Sequence, residues 1–134
     1  ISWPSGMAKK RKGKLAGEVC HVIDMMPTLL DIAGVSSAVQ QPLPFEGRSF
    51  APVLQGKRIS EHAEIFWGHG HGKAVLQGDW KLVSANRGPW ELYQLPEDGT
   101  ELHDLASEMP EKLNELRKLH AAWVKRTNLN LEAK

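Results

Sequence analysis

A few groups of side chains in this 134-residue chain have the types and spacing to do chemistry. His69 and His71 alternate with glycine in Trp67-Gly-His-Gly-His-Gly-Lys73. Residues i and i+2 of an extended segment share a face, so the two imidazoles could form a metal pair, but no third ligand is evident. Glycines also let a backbone approach a ligand closely, which suits substrate contact in a cleft; a plain exposed loop is the simpler alternative. Glu97, Asp98, Glu101 and Asp104 could converge on a hard cation, yet they lack the alternating ligands and central glycine of a calcium loop. A solvated turn is expected there, with Asp104 or Glu101 accepting from local backbone amides. Cys20-His21 suggests a nucleophile and base, but adjacent residues seldom adopt that geometry, which normally comes from separate elements. His21, His62, His103 and His120 show no partner spacing and read as structural or exposed. Trp80, Trp90 and Trp123 fall on element faces and read as core.

The elements that must position these groups follow from periodicity. Val22, Met25, Met26, Leu29, Leu30 and Ala33 keep the i, i+3, i+4, i+7 spacing of one buried helix face, which predicts a helix from Val22 to Gly34. Asp24 is the expected N-cap, Pro27 falls in the first turn where its missing N–H costs no bond, and Gly34 is the stop. Residues 35–60 carry Pro42, Pro44, Gly47, Pro52 and Gly56 and read as a long ordered connection, with a short helical turn over Ser49 to Leu54. Strands are expected at Ala63–Trp67, Lys73–Gln77, Trp80–Ser84 and Trp90–Leu95. Gly78-Asp79 makes a tight turn between the second and third, because glycine accepts φ > 0 without a Cβ clash. Alternation puts Ala74 and Leu76 on one face, and Trp80 and Leu82 on one face of the next strand. Ser107 is then expected to cap a helix carrying Met109, Leu113, Leu116, Leu119 or His120, and Trp123 as its apolar stripe. Lys125 and Arg126 suit its C-terminal dipole. The tail from Asn128 is expected to fray. The fold class is α+β, a small antiparallel sheet of about four strands packed by a C-terminal amphipathic helix.

Composition narrows the function classes. A content of 41% apolar and 25% charged residues is that of one ordinary globular domain. A formal charge of +1 supplies no global field that selects nucleic acid or membrane. The local excess Lys9-Lys10-Arg11-Lys12-Gly13-Lys14 reads as a solvated loop, since no aromatic side chains are interleaved to stack bases. One cysteine excludes an internal disulfide framework and a cysteine-ligated zinc site. No apolar run approaches the ~20 residues needed to cross a bilayer, and no signal peptide is expected in this stretch. Ile1-Ser-Trp-Pro4 looks like the end of a strand, so the chain is expected to be part of something longer.

Four segments carry a resemblance to the C-terminal part of type I, formylglycine-dependent sulfatases, close to bacterial arylsulfatases. Ile1-Ser-Trp-Pro-Ser-Gly6 resembles the family's strand end before a W-P-x-G step. His21-Val-Ile-Asp-Met-Met-Pro-Thr-Leu-Leu-Asp-Ile-Ala-Gly34 resembles its H-x-x-D-x-x-P-T-L-L-x-x-A-G helix. Phe45-Glu-Gly-Arg-Ser-Phe50, with Pro52, Leu54 and Gly56, resembles its D-G-x-S-x-x-P-x-L-x-G segment. Lys73–Val83, Glu91–Leu95 and Glu101–Leu105 resemble its R-A-V-R-x-G-x-W-K-L-V, E-L-Y-D-L and acidic N-L segments.

The resemblance implies that residues 1–58 complete a large alkaline-phosphatase-like α/β domain and residues 59–134 form the C-terminal subdomain. It implies a full-length enzyme that hydrolyses sulfate esters with a formylglycine nucleophile and a calcium ion, is periplasmic or secreted, and acts on a sulfated small molecule or glycan. The partner of this chain would then be the remainder of the sulfatase, its N-terminal α/β domain; no nucleic acid or membrane span is expected. None of the family's catalytic residues maps here. Ser2-Trp-Pro-Ser-Gly6 and Ser36-Ser-Ala-Val-Gln40 both lack the arginine that closes the nucleophile motif, and Cys20 is followed by His-Val-Ile. No metal ligand set maps here either, and the isolated chain is expected to be inactive. What the chain is expected to contribute is the rim of the substrate pocket, through His69, His71 and Lys73. The rival expectation is a free-standing interaction module that meets an anionic partner through Lys9–Lys14.

Overall fold

The computed structural model describes residues 6–15, 17–35 and 44–129. Ser2, Ser36 and the strand end expected at Ile1–Pro4 lie outside them. The chain divides into two compact units, Ile1–His62 and Ala63–Lys134.

In the first unit a 3-10 turn, Val22–Asp24, leads into helix α1, Met25–Ile32, and Gly34 takes φ 71° at the stop. Helix α2, Ala51–Leu54, is the short turn expected near Ser49 to Leu54, and a proline sits in its first turn. Two expectations for α1 need correction. Asp24 does not cap the helix's own N–H groups; its carboxylate accepts from the backbone N–H of His21 and of Arg48, both at 2.8 Å. The apolar stripe is not buried either, since Val22 is 73%, Met25 48%, Met26 54% and Leu29 57% exposed. Periodicity reveals which residues share a face but not whether a partner for that face is present. What α1 turns inward is polar. Thr28, 2% exposed, donates from Oγ1 to the Asp24 carbonyl at 2.6 Å and accepts from the Phe50 N–H at 3.0 Å.

The second unit is a four-stranded antiparallel meander in the order β1 (Ile65–His69), β2 (Gly72–Gln77), β3 (Trp80–Ser84) and β4 (Glu91–Gln94), followed by helix α3 (Pro110–Thr127). Register fixes the core. Phe66 pairs with Val75, Val75 with Leu82, and Leu82 with Leu92, so one row crosses all four strands on one face. Leu116 of α3 seats on this row, and Val75, Leu82, Leu92 and Leu116 are fully buried. Burying a side chain of this size stabilises by about 1.5–3 kcal/mol relative to exposure. Phe66 stacks on Trp123 with ring centroids 5.2 Å apart, and Trp80 and Trp90 pack against the cluster. The sequence reads all three tryptophans as core; in the structure each is half-buried, Trp80 and Trp90 against the cluster and Trp123 against Phe66.

Helix α3 starts at Pro110, whose fixed φ and missing N–H suit a first helical position, and Met109 rather than Ser107 precedes it as the cap residue. Ser107 falls in the turn before it. Asn128 adopts φ 51° and closes the helix in the left-handed conformation that Asn tolerates.

Candidate functional site

The first strand runs two residues further than the sequence suggests. His69 therefore lies inside β1, paired with Gly72, and Gly70-His71 is a two-residue hairpin turn with Gly70 at φ 53°. This corrects the picture of an extended loop from His69 to Lys73. The correction separates the candidates. Strand alternation from Phe66 puts His69 on the sheet face opposite α3, whereas Lys73 shares the α3 face with Val75. His69 is exposed, and His71 and Lys73 are half-buried.

On the α3 face the sheet and helix enclose a groove of about 1030 Å³, lined by His71, Lys73, Arg87, Trp90, Asn114, Arg117, Lys118 and His120, with Ala121, Val124, Lys125 and Leu129 continuing it along α3. The structure thus brings His71 and Lys73 together and leaves His69 out. The Lys73 ammonium lies 4.9 Å from the Trp90 ring centroid, a cation–π contact that holds the lysine stem along the indole. His120 meets Trp90 edge-on at 5.2 Å and is 4% exposed. Burial, and after it the charge of Lys73, push the His120 imidazole below its ordinary value, against a hydrogen bond to the Trp67 backbone. The ring is therefore neutral near pH 7.

Sequence reasoning missed Arg87, Asn114, Arg117, Lys118 and Lys125 as site residues. A signal existed for the helical ones: Asn114, Arg117 or Lys118, Ala121 and Lys125 follow helical spacing on the stripe beside the apolar one. Lys125 reads as a dipole partner only while the helix is considered by itself. Arg87 sits in a loop and carried no signal.

The other candidate chemistries resolve into structural roles. Asp104 accepts from the N–H groups of Leu92 and Ala106, both at 2.9 Å. Asp98 accepts from those of Leu102 and His103, both at 2.8 Å. Glu101 instead pairs with Lys81 at 2.5 Å. In the basic segment, Arg11 pairs with Glu18 at 2.7 Å. The Cys20 thiol is pushed up by partial desolvation and then by the charges of Asp24 and Glu18, the opposite of an activated nucleophile. Among the described residues no group of three or more His, Cys, Asp or Glu could hold a metal ion. No helix among them is long and apolar enough to cross a membrane.

Comparison with known proteins supplies the context. The family model for N-sulphoglucosamine sulphohydrolase, C-terminal, matches residues 1–127. The arylsulfatase of Clostridium perfringens is 31% identical over 123 residues, which cover 87% of this chain and 25% of that protein. A solved 2-O glycosaminoglycan sulfatase superimposes with a TM-score of 0.60 at 26% identity, over 83% of this chain and 27% of that one. A second structure, 23% identical with a TM-score of 0.61, shares the fold over 92% of this chain and 28% of its own; it was solved with its substrate D-glucosamine-2-N,6-O-disulfate. The chain spans about a quarter of the length of these relatives.

Proposed function

The chain belongs to the family of N-sulphoglucosamine sulphohydrolase C-terminal regions, and from that premise we propose that it works as the C-terminal portion of an enzyme that hydrolyses sulfate esters. The observation that carries this reading is the match across residues 1–127, which spans both units. In this reading calcium and formylglycine belong to the remainder of the protein, since the resemblance maps neither the nucleophile motif nor the metal motif onto this chain. In this reading the intact enzyme works in the periplasm or outside the cell.

The chain's own residues then serve the substrate at the rim of its pocket. Lys73 is a fixed cation, steadied by Trp90, that attracts and orients an anionic substituent. His71, at the tip of the β1–β2 hairpin, offers ring nitrogens to the same groove. His69 is the rim candidate for the opposite face of the sheet. A rim of this kind affects substrate binding more than the chemical step, so its loss should raise KM with a smaller effect on kcat.

Turnover of 4-nitrocatechol sulfate by the intact protein tests the activity, and the 134-residue chain alone should show none. Turnover that survives in the purified chain would overturn the assignment of chemistry. His71→Ala in the intact protein is expected to raise KM severalfold with little change in thermal midpoint. Wild-type kinetics in both His69→Ala and His71→Ala would remove the rim assignment.

A further inference from the structure

The basic run near the start of the first unit has a neighbour that the sequence does not reveal. Lys9–Arg11 forms a 3-10 turn, closed by a bond from the Lys12 N–H to the Lys9 carbonyl at 3.3 Å. Residues i and i+3 of such a turn eclipse, so Lys9 and Lys12 stand one above the other. The Ala8 N–H donates to the Leu54 carbonyl at 3.0 Å, which lays the turn beside the end of α2. There the Lys10 stem covers Gly56, whose φ is 78°, so closely that a Cβ on Gly56 would collide with it. Lys57 and Arg58 follow directly, and both are exposed. Neither residues 6–17 nor residues 47–60 contain an aspartate or glutamate. Two segments distant in sequence thus assemble one basic patch. We propose that this patch, together with Leu15, docks the protein on the surface of a bilayer that contains anionic phospholipid. The site belongs to the first unit and is independent of the sulfate-ester reading above.

The charges call for an anionic partner. Lys9, Lys10, Lys12 and Lys14 are exposed, and Arg11 is held at 2.7 Å by Glu18. A backbone hydrogen bond and then Arg11 keep the Glu18 carboxyl below its ordinary value, and the charge of Arg58 adds to them, so Arg58 lies within reach of the same carboxylate. Neighbouring ammonium groups repel one another, and an anionic surface replaces that repulsion with attraction. Leu15 decides which partner. It is 100% exposed and follows Lys14 directly. Cations around a bare leucine are what an interfacial segment needs: the ammonium groups meet the phosphates, and the isobutyl side chain enters the acyl boundary below them. The remainder of the protein is a poorer occupant, because an apolar contact to Leu15 would draw the adjoining lysine out of water. The α1 stripe differs in this respect, since residues 22–34 contain no cation. Soluble polyanions offer Leu15 no apolar partner. Nucleic acid would also need aromatic side chains to stack its bases, and residues 6–17 contain none.

The test is co-sedimentation of the intact protein with vesicles of phosphatidylcholine alone and of equimolar phosphatidylcholine and phosphatidylglycerol. Binding is expected to the second kind only, and it should fall steeply as salt rises. Lys9→Ala combined with Lys14→Ala should weaken it about twentyfold, since one cation near an anionic surface contributes about fivefold. Lys57→Ala alone should weaken it about fivefold, an effect that the run 9–14 acting by itself would not give. Leu15→Ser should weaken vesicle binding severalfold and leave its salt dependence unchanged. All these positions are exposed, so thermal midpoints should not move. A polyglutamate peptide and a single-stranded oligonucleotide, at the same concentration of charge, should bind more weakly than the vesicles. Absence of binding to the anionic vesicles, equal binding to the neutral ones, wild-type binding in the lysine variants or in Leu15→Ser, or equal binding of either soluble polyanion would each overturn the proposal. The assay reads no turnover, so failure of the sulfate-ester reading would leave its result intact.

Discussion

Asp24 shows how one buried carboxylate organises the first unit. It is 3% exposed and accepts from the His21 and Arg48 backbone N–H groups, with His62 Nε2 at 2.8 Å from its Oδ1. Burial by itself would raise its pKa, but these donors outweigh burial and hold the carboxyl below 3.8. The unfolded chain therefore binds the proton more readily, so Asp24 stabilises the fold above about pH 4 and loses that contribution as pH falls through the lowered value. Asp24→Asn is expected to lower stability at neutral pH and to flatten the acid limb below about pH 4, read by urea unfolding at a series of pH values. Gly47 makes this network possible. A Cβ there would lie 2.0 Å from the Ile23 carbonyl oxygen, so only glycine lets the chain pass closely enough for Arg48 to reach Asp24. Gly47→Ala must shift backbone, and a loss of about 1–3 kcal/mol is expected, visible as a lower urea midpoint with unchanged m-value. Asp24 was legible as a helix-start residue, and Thr28 carried no signal beyond its place in the family motif. The partners of the two, Arg48, Phe50 and His62, were not legible, because contacts across 22 to 38 residues leave no local pattern.

Among the elements, β4 lies at one edge of the sheet. Its outer edge is not left open. The Leu92 N–H donates to Asp104 at 2.9 Å, and the Leu92 carbonyl accepts from the Leu105 N–H at 2.8 Å, so the segment 104–105 covers an edge that could otherwise recruit another strand. Asp104→Ala leaves the Leu92 and Ala106 donors without their acceptor and is expected to cost about 1–3 kcal/mol. Asp104→Asn keeps an oxygen there and should recover much of that. Amide exchange at Leu92 should accelerate in the alanine variant and little in the asparagine one; equal exchange in all three would show that the clasp contributes nothing. The sheet was the legible part of the fold, since Gly78-Asp79 and the flanking alternation are local signals with local causes. Which face of β2 meets α3 was not legible, because Ala74, Val75 and Leu76 are all apolar and only the register with Leu82 decides it. The same limit hid the groove: its cations come from β2, a loop and α3, and the packing of Leu116 on the sheet assembles them.

At the scale of the whole molecule, the first unit carries apolar side chains that are exposed among its described residues. Val22, Met25, Met26, Leu29 and Phe45 are all exposed in it, although helical spacing groups the first four as a core face. A surface of this size argues for a partner, and the chain spans about a quarter of its relatives' length. If the remaining part of a sulfatase supplies that partner, a charge on the stripe should act differently in the two contexts. In the 134-residue chain, Leu29→Glu replaces a residue 57% exposed, so its stability should change by no more than about 0.5 kcal/mol and its aggregation should fall. In the intact protein the same substitution buries a carboxylate against apolar neighbours and should cost about 2 kcal/mol or more. Parallel denaturant titrations of the two proteins measure the difference directly. Equal, small effects in both would mean that α1 faces solvent in the enzyme as well, and that the helical spacing there serves something other than burial.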